Sequence, residues 1–158
     1  MKIIELKEEY YGDFLEGLVS SFSKDYIPLG ITKENAKSNG SFFTKNHMYN
    51  YINKGVKFFV ILDKEILAGG IGILEKDDYC KVKKLFVTIE YQNIGVGKKL
   101  MDFAEEYTKS LSKAKVKLGM IRDKESLHRF YEKCGYIDKK ISLNRKMNLN
   151  VAFMEKKI

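Results

Sequence analysis

The sequence predicts a mixed α/β domain in which one central sheet carries helices on its faces. Three observations support this fold class. Hydrophobic residues recur at helical spacing over residues 8–22, and from Lys57 onwards they recur at the shorter period of strands. A strand, a glycine turn and an amphipathic helix follow one another at residues 84–109. A second strand-to-helix unit then completes the order β-α-α-β-β-β-α-β-α-β-β, which implies a mixed sheet.

The first part of the chain is predicted to contain one strand and two helical segments. Lys2 to Leu6 alternates weakly, as expected of a strand. The apolar face of residues 8–22 predicts a helix that ends near Pro28. Thr32 is a plausible N-cap of a second helical segment, which we expect to be interrupted near Gly40.

The rest of the chain alternates strands with two further helices. Gly135 is the predicted C-cap of the last helix. The predicted elements, in chain order, are a hairpin over residues 57–74 with its turn at Asp63-Lys64, a central strand at 79–88, a helix from Val96 to Leu111, a strand at 115–121, a helix at 124–134, and strands at 136–143 and 150–156.

The composition is that of one globular domain, residues 1–158. The chain is 44% hydrophobic and 13% aromatic, enough for a sizeable core, and its single proline argues against a linker. The longest uncharged apolar run, Ile66 to Leu74, is too short to span a bilayer, so we expect a cytoplasmic protein without a membrane partner. Cys80 and Cys134 lack metal-ligand spacing, so we expect free thiols and no metal.

The net charge of +8 raises the question of nucleic acid as a partner. The lysines are scattered along the chain and interleaved with acidic residues, and no nucleic-acid-binding module is recognisable. We therefore do not expect nucleic acid to be the partner. A cofactor with several phosphate groups would itself use some of these charges.

The glycine turn between the central strand and the following helix is a predicted anion site. The first turn of a helix has backbone N–H groups without intrahelical partners, and it lies at the positive end of the helix dipole. Gly95 and Gly97 would let a ligand approach the backbone closely. A Walker A loop is excluded, because Gln92 stands in place of its first glycine and Lys99 in place of its hydroxyl residue. A dinucleotide fingerprint is excluded by Leu100, which replaces the third glycine.

The pattern that fits is Q-x-x-G-x-G, from Gln92 to Gly97, preceded by L-F-V. Here the chain resembles the GNAT superfamily of acetyl-CoA-dependent N-acetyltransferases, in which [QR]-x-x-G-x-[GA] holds the pyrophosphate of coenzyme A. A second family pattern, F-Y-E-K-x-G-[FY], occurs at Phe130 to Tyr136. The predicted element order is also that of the GNAT fold. The plain alternative is a turn that only connects strand and helix.

The resemblance assigns a cofactor site and two catalytic groups. Acetyl-CoA is the implied cosubstrate. The pyrophosphate would bind the backbone of Gln92, Asn93, Ile94, Gly95, Val96, Gly97 and Lys98, and the pantetheine arm would pair with Leu85, Phe86 and Val87. The N–H of Val87 would polarise the thioester carbonyl, and Tyr131 would supply a proton to the leaving thiolate. Lys124 could meet a cofactor phosphate, whereas Asp123 is more simply a helix N-cap.

The general base and the amine acceptor are left open by the sequence. Lys81 and Lys83 occupy the central strand, where the family often has a glutamate, and these cations disfavour a polycationic acceptor such as a polyamine. Glu75 and Glu90 are expected to be surface charges, as is His128. The rival hypothesis is a non-catalytic acyl-CoA-binding sensor. Nothing in the sequence decides whether the chain forms a homodimer.

Overall fold

A seven-stranded sheet with helices on both faces organises all 158 residues of this computed structural model. The predicted fold class and element order are confirmed. The α-helices are α1 (Tyr11–Tyr26), α2 (Lys45–Asn53), α3 (Val96–Ser110) and α4 (Glu125–Lys133). The strands are β1 (Lys2–Glu5), β2 (Val56–Asp63), β3 (Ile66–Glu75), β4 (Tyr79–Val87), β5 (Lys115–Ile121), β6 (Ile137–Asn144) and β7 (Leu149–Lys157). None of the helices combines the length and apolar character needed to cross a bilayer.

The second helix is shorter than the sequence suggested, because a different threonine begins it. The Thr44 side chain accepts a hydrogen bond from the His47 backbone, and the His47 ring accepts one from the Thr44 backbone, which completes a capping box. Thr32 instead exchanges hydrogen bonds with Asn35 in a turn. The segment before α2 is therefore a series of turns with one short 3₁₀ helix, Gly40–Phe42, and not an α-helix.

The sheet has the strand order β1-β2-β3-β4-β5-β7-β6, and its one parallel pair lies at the centre. β4 and β5 pair over only three residues, from Tyr79–Lys115 to Lys81–Lys117. Beyond that point β5 continues along β7 while β4 continues along β3. The two central strands thus separate and leave a wedge-shaped opening in the sheet.

A β-bulge in β4 occurs where this opening begins. Lys83 pairs with Gly72 and Phe86 pairs with Gly70, so Lys84 and Leu85 together face the single residue between the two glycines. Lys84 has a φ of +53°, an uncommon value for a residue with a side chain. The bulge reverses the alternation of the strand, so that Lys83 and Lys84 lie on the same face.

Each face of the sheet has its own hydrophobic core. On one face Cys80 and Val82 of β4 pack with the buried residues of α3 and α4. On the other face Phe86 packs with Phe14 of α1, ring centroids 5.3 Å apart. Gly70 of β3 is required beneath these rings, because a Cβ there would lie 2.7 Å from Phe86 and 2.9 Å from Phe14.

Two polar residues near α4 differ from the sequence expectation. His128 is buried, with 3% of its surface exposed, and its Nε2 lies 2.9 and 3.1 Å from the carboxylate oxygens of Asp138 on β6. It is thus not a surface residue, and its other ring nitrogen, Nδ1, lies 3.3 Å from the Glu132 carboxylate. Asp123 does not cap α4 but accepts a hydrogen bond from the Asn150 N–H at 2.8 Å, which ties the loop before α4 to β7.

Candidate active site

A cavity of about 630 Å³ opens where the end of β4, the start of α3, the end of α1 and α4 meet. Nearly all of the predicted cofactor residues line it, namely Leu85, Phe86, Val87, Gln92, Asn93, Gly95, Val96, Gly97, Lys98 and Lys124. Ile94 is not part of the lining and is 63% exposed. Tyr131 is also absent from this lining and lies in the adjoining cavity described below.

The N-terminus of α3 presents free backbone donors to this cavity. Gly95 is the N-cap residue and provides no side-chain cap, and the first intrahelical bond runs from Lys99 N to Gly95 O at 3.1 Å. The N–H groups of Val96, Gly97 and Lys98 therefore have no partner within the helix. Such donors at the positive end of a helix dipole bind phosphate oxygens.

The two glycines of the turn have different structural roles. These roles differ in part from the close approach of a ligand that the sequence predicted for both. Gly95 has a φ of +89°, in the left-handed region, while a Cβ at this position would meet open space. Gly97 has an ordinary backbone, but a Cβ there would lie 3.1 Å from the Phe130 ring of α4. Gly97 thus permits α4 to pack against the turn, and Gly95 permits the backbone to turn into the helix.

The Gln92 side chain joins the turn to the strand that precedes it. Its Nε2 donates to the Val87 carbonyl at 3.0 Å, and its Oε1 accepts a hydrogen bond from Lys24 of α1 at 3.1 Å. Thr88 N donates to Ala68 O of β3 at 2.9 Å and closes the end of the strand. The position of the turn relative to β4 is thereby set by side-chain contacts as well as by chain connectivity.

The backbone of β4 beside the turn faces the opening in the sheet. The Phe86 carbonyl points at β3, since a Cβ on Gly69 would lie 2.6 Å from it. Backbone groups of successive strand residues point in opposite directions. The N–H and C=O groups of Leu85 and Val87 are therefore directed away from β3, towards the space that β5 has left.

Positive charge predominates around the cavity. Its charged lining residues are Lys24, Lys98, Lys124 and Lys133, with Asp25 as the one carboxylate. Lys124 lies 3.5 Å from Asp25, and Lys98 lies 3.0 Å from Asp102 on the outer face of α3. Sequence analysis did not identify Lys24, Asp25 and Lys133. The first two belong to α1, about 70 positions before the turn, and no local pattern links them to it.

A second cavity of about 280 Å³ adjoins the first and contains Tyr131. The two cavities share Phe22, Tyr26, Leu85 and Leu127 in their linings. Tyr131 is 5% exposed, and its burial raises the pKa of the phenol well above 10. Its hydroxyl makes no hydrogen bond to the protein. The hydroxyl is nevertheless accessible from the cavity, because the one fully buried side-chain polar atom without a hydrogen-bond partner is Ser41 Oγ. The phenol is therefore free to donate into the cavity.

No carboxylate lines this second cavity. Glu75 is paired with Lys113 at 3.4 Å, and Glu90 lies in a separate surface depression beside α1. No group of three or more histidine, cysteine or acidic side chains is arranged to hold a metal ion. The polar side chains that line this second cavity are those of Tyr26, Asn39, Tyr51, Lys81, Lys83, Lys84 and Tyr131.

Comparison with known proteins gives the family. Residues 23–158 match the model of the acetyltransferase (GNAT) domain. An uncharacterized N-acetyltransferase of the pepI 3′ region of Lactobacillus delbrueckii subsp. lactis is 24% identical over an alignment of 148 positions, which covers 85% of this chain and 83% of that protein. The chain belongs to the GNAT acetyltransferases, and the family resemblance noted in the sequence is confirmed.

Solved structures of the same fold extend over the whole chain. The PaiA N-acetyltransferase of Thermoplasma acidophilum, in complex with coenzyme A, superimposes with a TM-score of 0.84 at 21% identity and covers 99% of this chain and 98% of that one. A GNAT acetyltransferase of Staphylococcus aureus Mu50 superimposes with a TM-score of 0.72 at 25% identity, with the same coverage. The overall fold of this chain is therefore shared with these acetyltransferases.

Proposed function

We propose that this chain is a single-domain N-acetyltransferase that moves the acetyl group of acetyl-CoA to a primary amine of a small molecule or peptide. The reaction is a direct attack within a ternary complex. One observation carries the proposal: the uncapped start of α3 and the backbone edge of Leu85 to Val87 open onto the same cavity, beside the cavity that holds Tyr131.

The cavity has the donor groups that coenzyme A requires. The free N–H groups of Val96, Gly97 and Lys98 suit a pyrophosphate, and surrounding lysines supply further charge. The backbone edge of β4 suits the amide groups of a pantetheine arm, which can pair with it as an added strand would. Lys124 is suited to bind a phosphate, although its ion pair with Asp25 partly neutralises its charge.

When bound, acetyl-CoA supplies an activated acyl group, and the protein must stabilise charge and move one proton. The Val87 N–H, directed into the opening of the sheet, is suited to donate to the carbonyl oxygen as negative charge develops there. The amine nitrogen loses one proton as its bond to the acyl carbon forms, and the sulfur gains one as the C–S bond breaks.

Tyr131 is suited to relay this proton. Full donation from a phenol of pKa about 10 to a thiolate whose conjugate acid lies near 8.5 is already uphill, and burial raises the pKa of Tyr131 further. The phenol is therefore protonated at neutral pH. We propose that it donates to the sulfur while it regains a proton from the amine, so that no free phenolate forms.

Deprotonation of the acceptor's ammonium form before it reacts is assigned to no side chain, because no carboxylate lines the second cavity. The neutral form of the acceptor then binds from solution. The value of kcat/KM should accordingly rise with pH until the acceptor's own ammonium group has titrated.

Release of coenzyme A thiol, measured with a panel of amines, tests the proposal. Tyr131→Phe should lower kcat by about 100-fold or more and leave coenzyme A affinity unchanged. Tyr107→Phe is the matched control, because Tyr107 lies on α3 and lines neither cavity. Calorimetry without coenzyme A binding would refute the proposal, and binding without thiol release on any amine would favour the acyl-CoA sensor.

A further inference from the structure

We infer that the amine acceptor of this enzyme also carries an anionic group, a carboxylate or a phosphate, bound by three lysines of β4. The inference rests on the proposed acetyl transfer and specifies its substrate class. The lysines are Lys81, Lys83 and Lys84, and all three line the second cavity, which also contains Tyr131.

The position of the second cavity suits an acceptor. It occupies the wedge between β4 and β5, with residues 81–85 on one side and residues 118–121 on the other. It meets the cofactor cavity at Leu85 and Leu127, so a ligand in it would lie directly beside the acyl end of the cofactor site. Its volume, about 280 Å³, lies just below the range of about 300–1,000 Å³ that is typical of ligand sites, which suits a small acceptor.

The three lysines carry uncompensated charge. No acidic residue lines the cavity, and the nearest charges acting on Lys83 are other lysines, Lys81 first among them. Desolvation and this repulsion lower the pKa of Lys83. Buried charge without a partner costs free energy, and proteins commonly keep such an arrangement where a ligand supplies the missing charge.

Lys84 is the most confined of the three. Its ammonium lies 5.6 to 5.9 Å from the ring centroids of Phe22, Phe43 and Tyr51, and it donates one hydrogen bond, to the Ser38 carbonyl. Desolvation, followed by repulsion from Lys83, lowers the pKa of Lys84 to about 8. The rings hold the cation by cation–π attraction but provide no negative charge.

Two buried hydroxyls in the same cavity are also without partners. Tyr26 and Tyr131 are each 5% exposed, and neither hydroxyl is bonded to the protein or sealed. Burial raises the pKa of both phenols, so both stay protonated at neutral pH. In that form they carry no negative charge that would repel an anion. Polar groups that are this buried are normally hydrogen-bonded, so a polar ligand is expected to satisfy them.

These contacts distinguish between classes of amine. A strand advances about 3.3 Å per residue, so Val87 lies about 10 Å along β4 from Lys84 and about 13 Å from Lys83. The lysine side chains can cover part of that distance, so an acceptor with its amine at Val87 and its anion at Lys83 and Lys84 is a small molecule such as an ω-amino acid or an aminoalkyl phosphate. A polyamine would bring further positive charge to the lysines and is disfavoured.

The test compares amines that differ only in their anionic group. Amino acids are paired with their amides, phosphoethanolamine is paired with ethanolamine, and spermidine represents polyamines. We expect kcat/KM to be at least tenfold higher for the anionic member of one of these pairs, with spermidine a poor substrate. In the Lys83→Gln and Lys84→Met variants the preference for the anionic amine should fall at least tenfold, because the KM for that amine rises. The kcat/KM for the neutral amines should not change.

A matched control and a second readout separate this inference from the proposed reaction. Lys57→Gln removes an exposed lysine of β2 outside both cavities and should behave as wild type. Inorganic phosphate should raise the melting temperature of wild type and Lys57→Gln more than that of Lys84→Met, whether or not any amine is acetylated. Preference for amides, ethanolamine or spermidine, or a phosphate effect equal in all three proteins, would overturn the inference.

Discussion

Lys84 should make the folded protein less stable than it would be with a neutral residue of similar length. We expect Lys84→Met to raise the free energy of unfolding at pH 7, although the substitution removes a hydrogen bond to Ser38 and three ring contacts. Methionine fills a similar volume among Phe22, Phe43 and Tyr51 and introduces no buried charge.

The size of the effect follows from the pKa. Burial lowers the pKa of Lys84 from 10.5 to about 8, and each pKa unit corresponds to about 1.36 kcal/mol, so the charged form costs about 3 kcal/mol on folding. The loss of cation–π attraction and of the hydrogen bond offsets part of this gain. We expect a net stabilisation of about 1–2 kcal/mol.

The pH dependence identifies the cause. The folded chain releases the Lys84 proton near pH 8 and the unfolded chain near pH 10.5, so between these values the unfolded chain binds more protons and wild-type stability rises with pH. The advantage of Lys84→Met should therefore be full below pH 7 and should fall by more than half at pH 9.5. Urea unfolding of both proteins at the two pH values measures this difference, and the contributions of lysines that do not interact with Lys84 cancel.

Two results would refute this reasoning. If Lys84→Met unfolds at lower urea concentration than wild type at pH 7, the ring contacts outweigh the desolvation of the ammonium. If the variant is more stable by the same amount at both pH values, its gain comes from packing and not from removal of charge. Lys57→Gln, whose side chain is exposed, should change stability by less than about 0.5 kcal/mol at either pH.

Three further predictions concern the cofactor cavity and α4. Gly95→Ala should destabilise the protein by about 1 kcal/mol and weaken coenzyme A binding in calorimetry, because its φ of +89° strains any residue with a Cβ; unchanged affinity would contradict this. Lys124→Met should weaken coenzyme A binding several-fold, whereas Asp25→Asn should strengthen it by releasing Lys124; opposite signs would show that the pair does not meet the cofactor. His128→Ala should lower the free energy of unfolding by about 2 kcal/mol because it removes a buried ring that pairs with Asp138, and in a double-mutant cycle with Asp138→Ala the two losses should not add.

The part of the site that sequence analysis could identify is the part formed by neighbouring residues. The turn from Gln92 to Gly97 combines a strand end, a backbone bend and a helix start within a few positions. The local sequence pattern is therefore sufficient to predict its geometry. The short helix with Tyr131 was identified for the same reason, since Gly135 marks its end. In both cases the local chain determines the structure.

The charges around the site depend on residues that are distant in sequence. The cage around Lys84 takes Phe22 from α1, Phe43 from a turn and Tyr51 from α2, and each of these aromatics taken alone predicts only a core residue. Likewise the burial of His128 depends on Asp138 across a strand. A single sequence does not contain these distances, because they arise only when α1 and β6 are placed on the sheet.

The bulge at Lys84 has a consequence for how β4 can vary. Deleting Lys84 would restore plain alternation and leave Leu85, Phe86 and Val87 on their present faces, because the bulge adds one residue to β4 without changing the pairing on either side of it. Deleting Val82 would instead bring a lysine to a position in the hydrophobic core. Single-residue deletions scanned along β4, with folded yield as the readout, should therefore find Lys84 the best tolerated position.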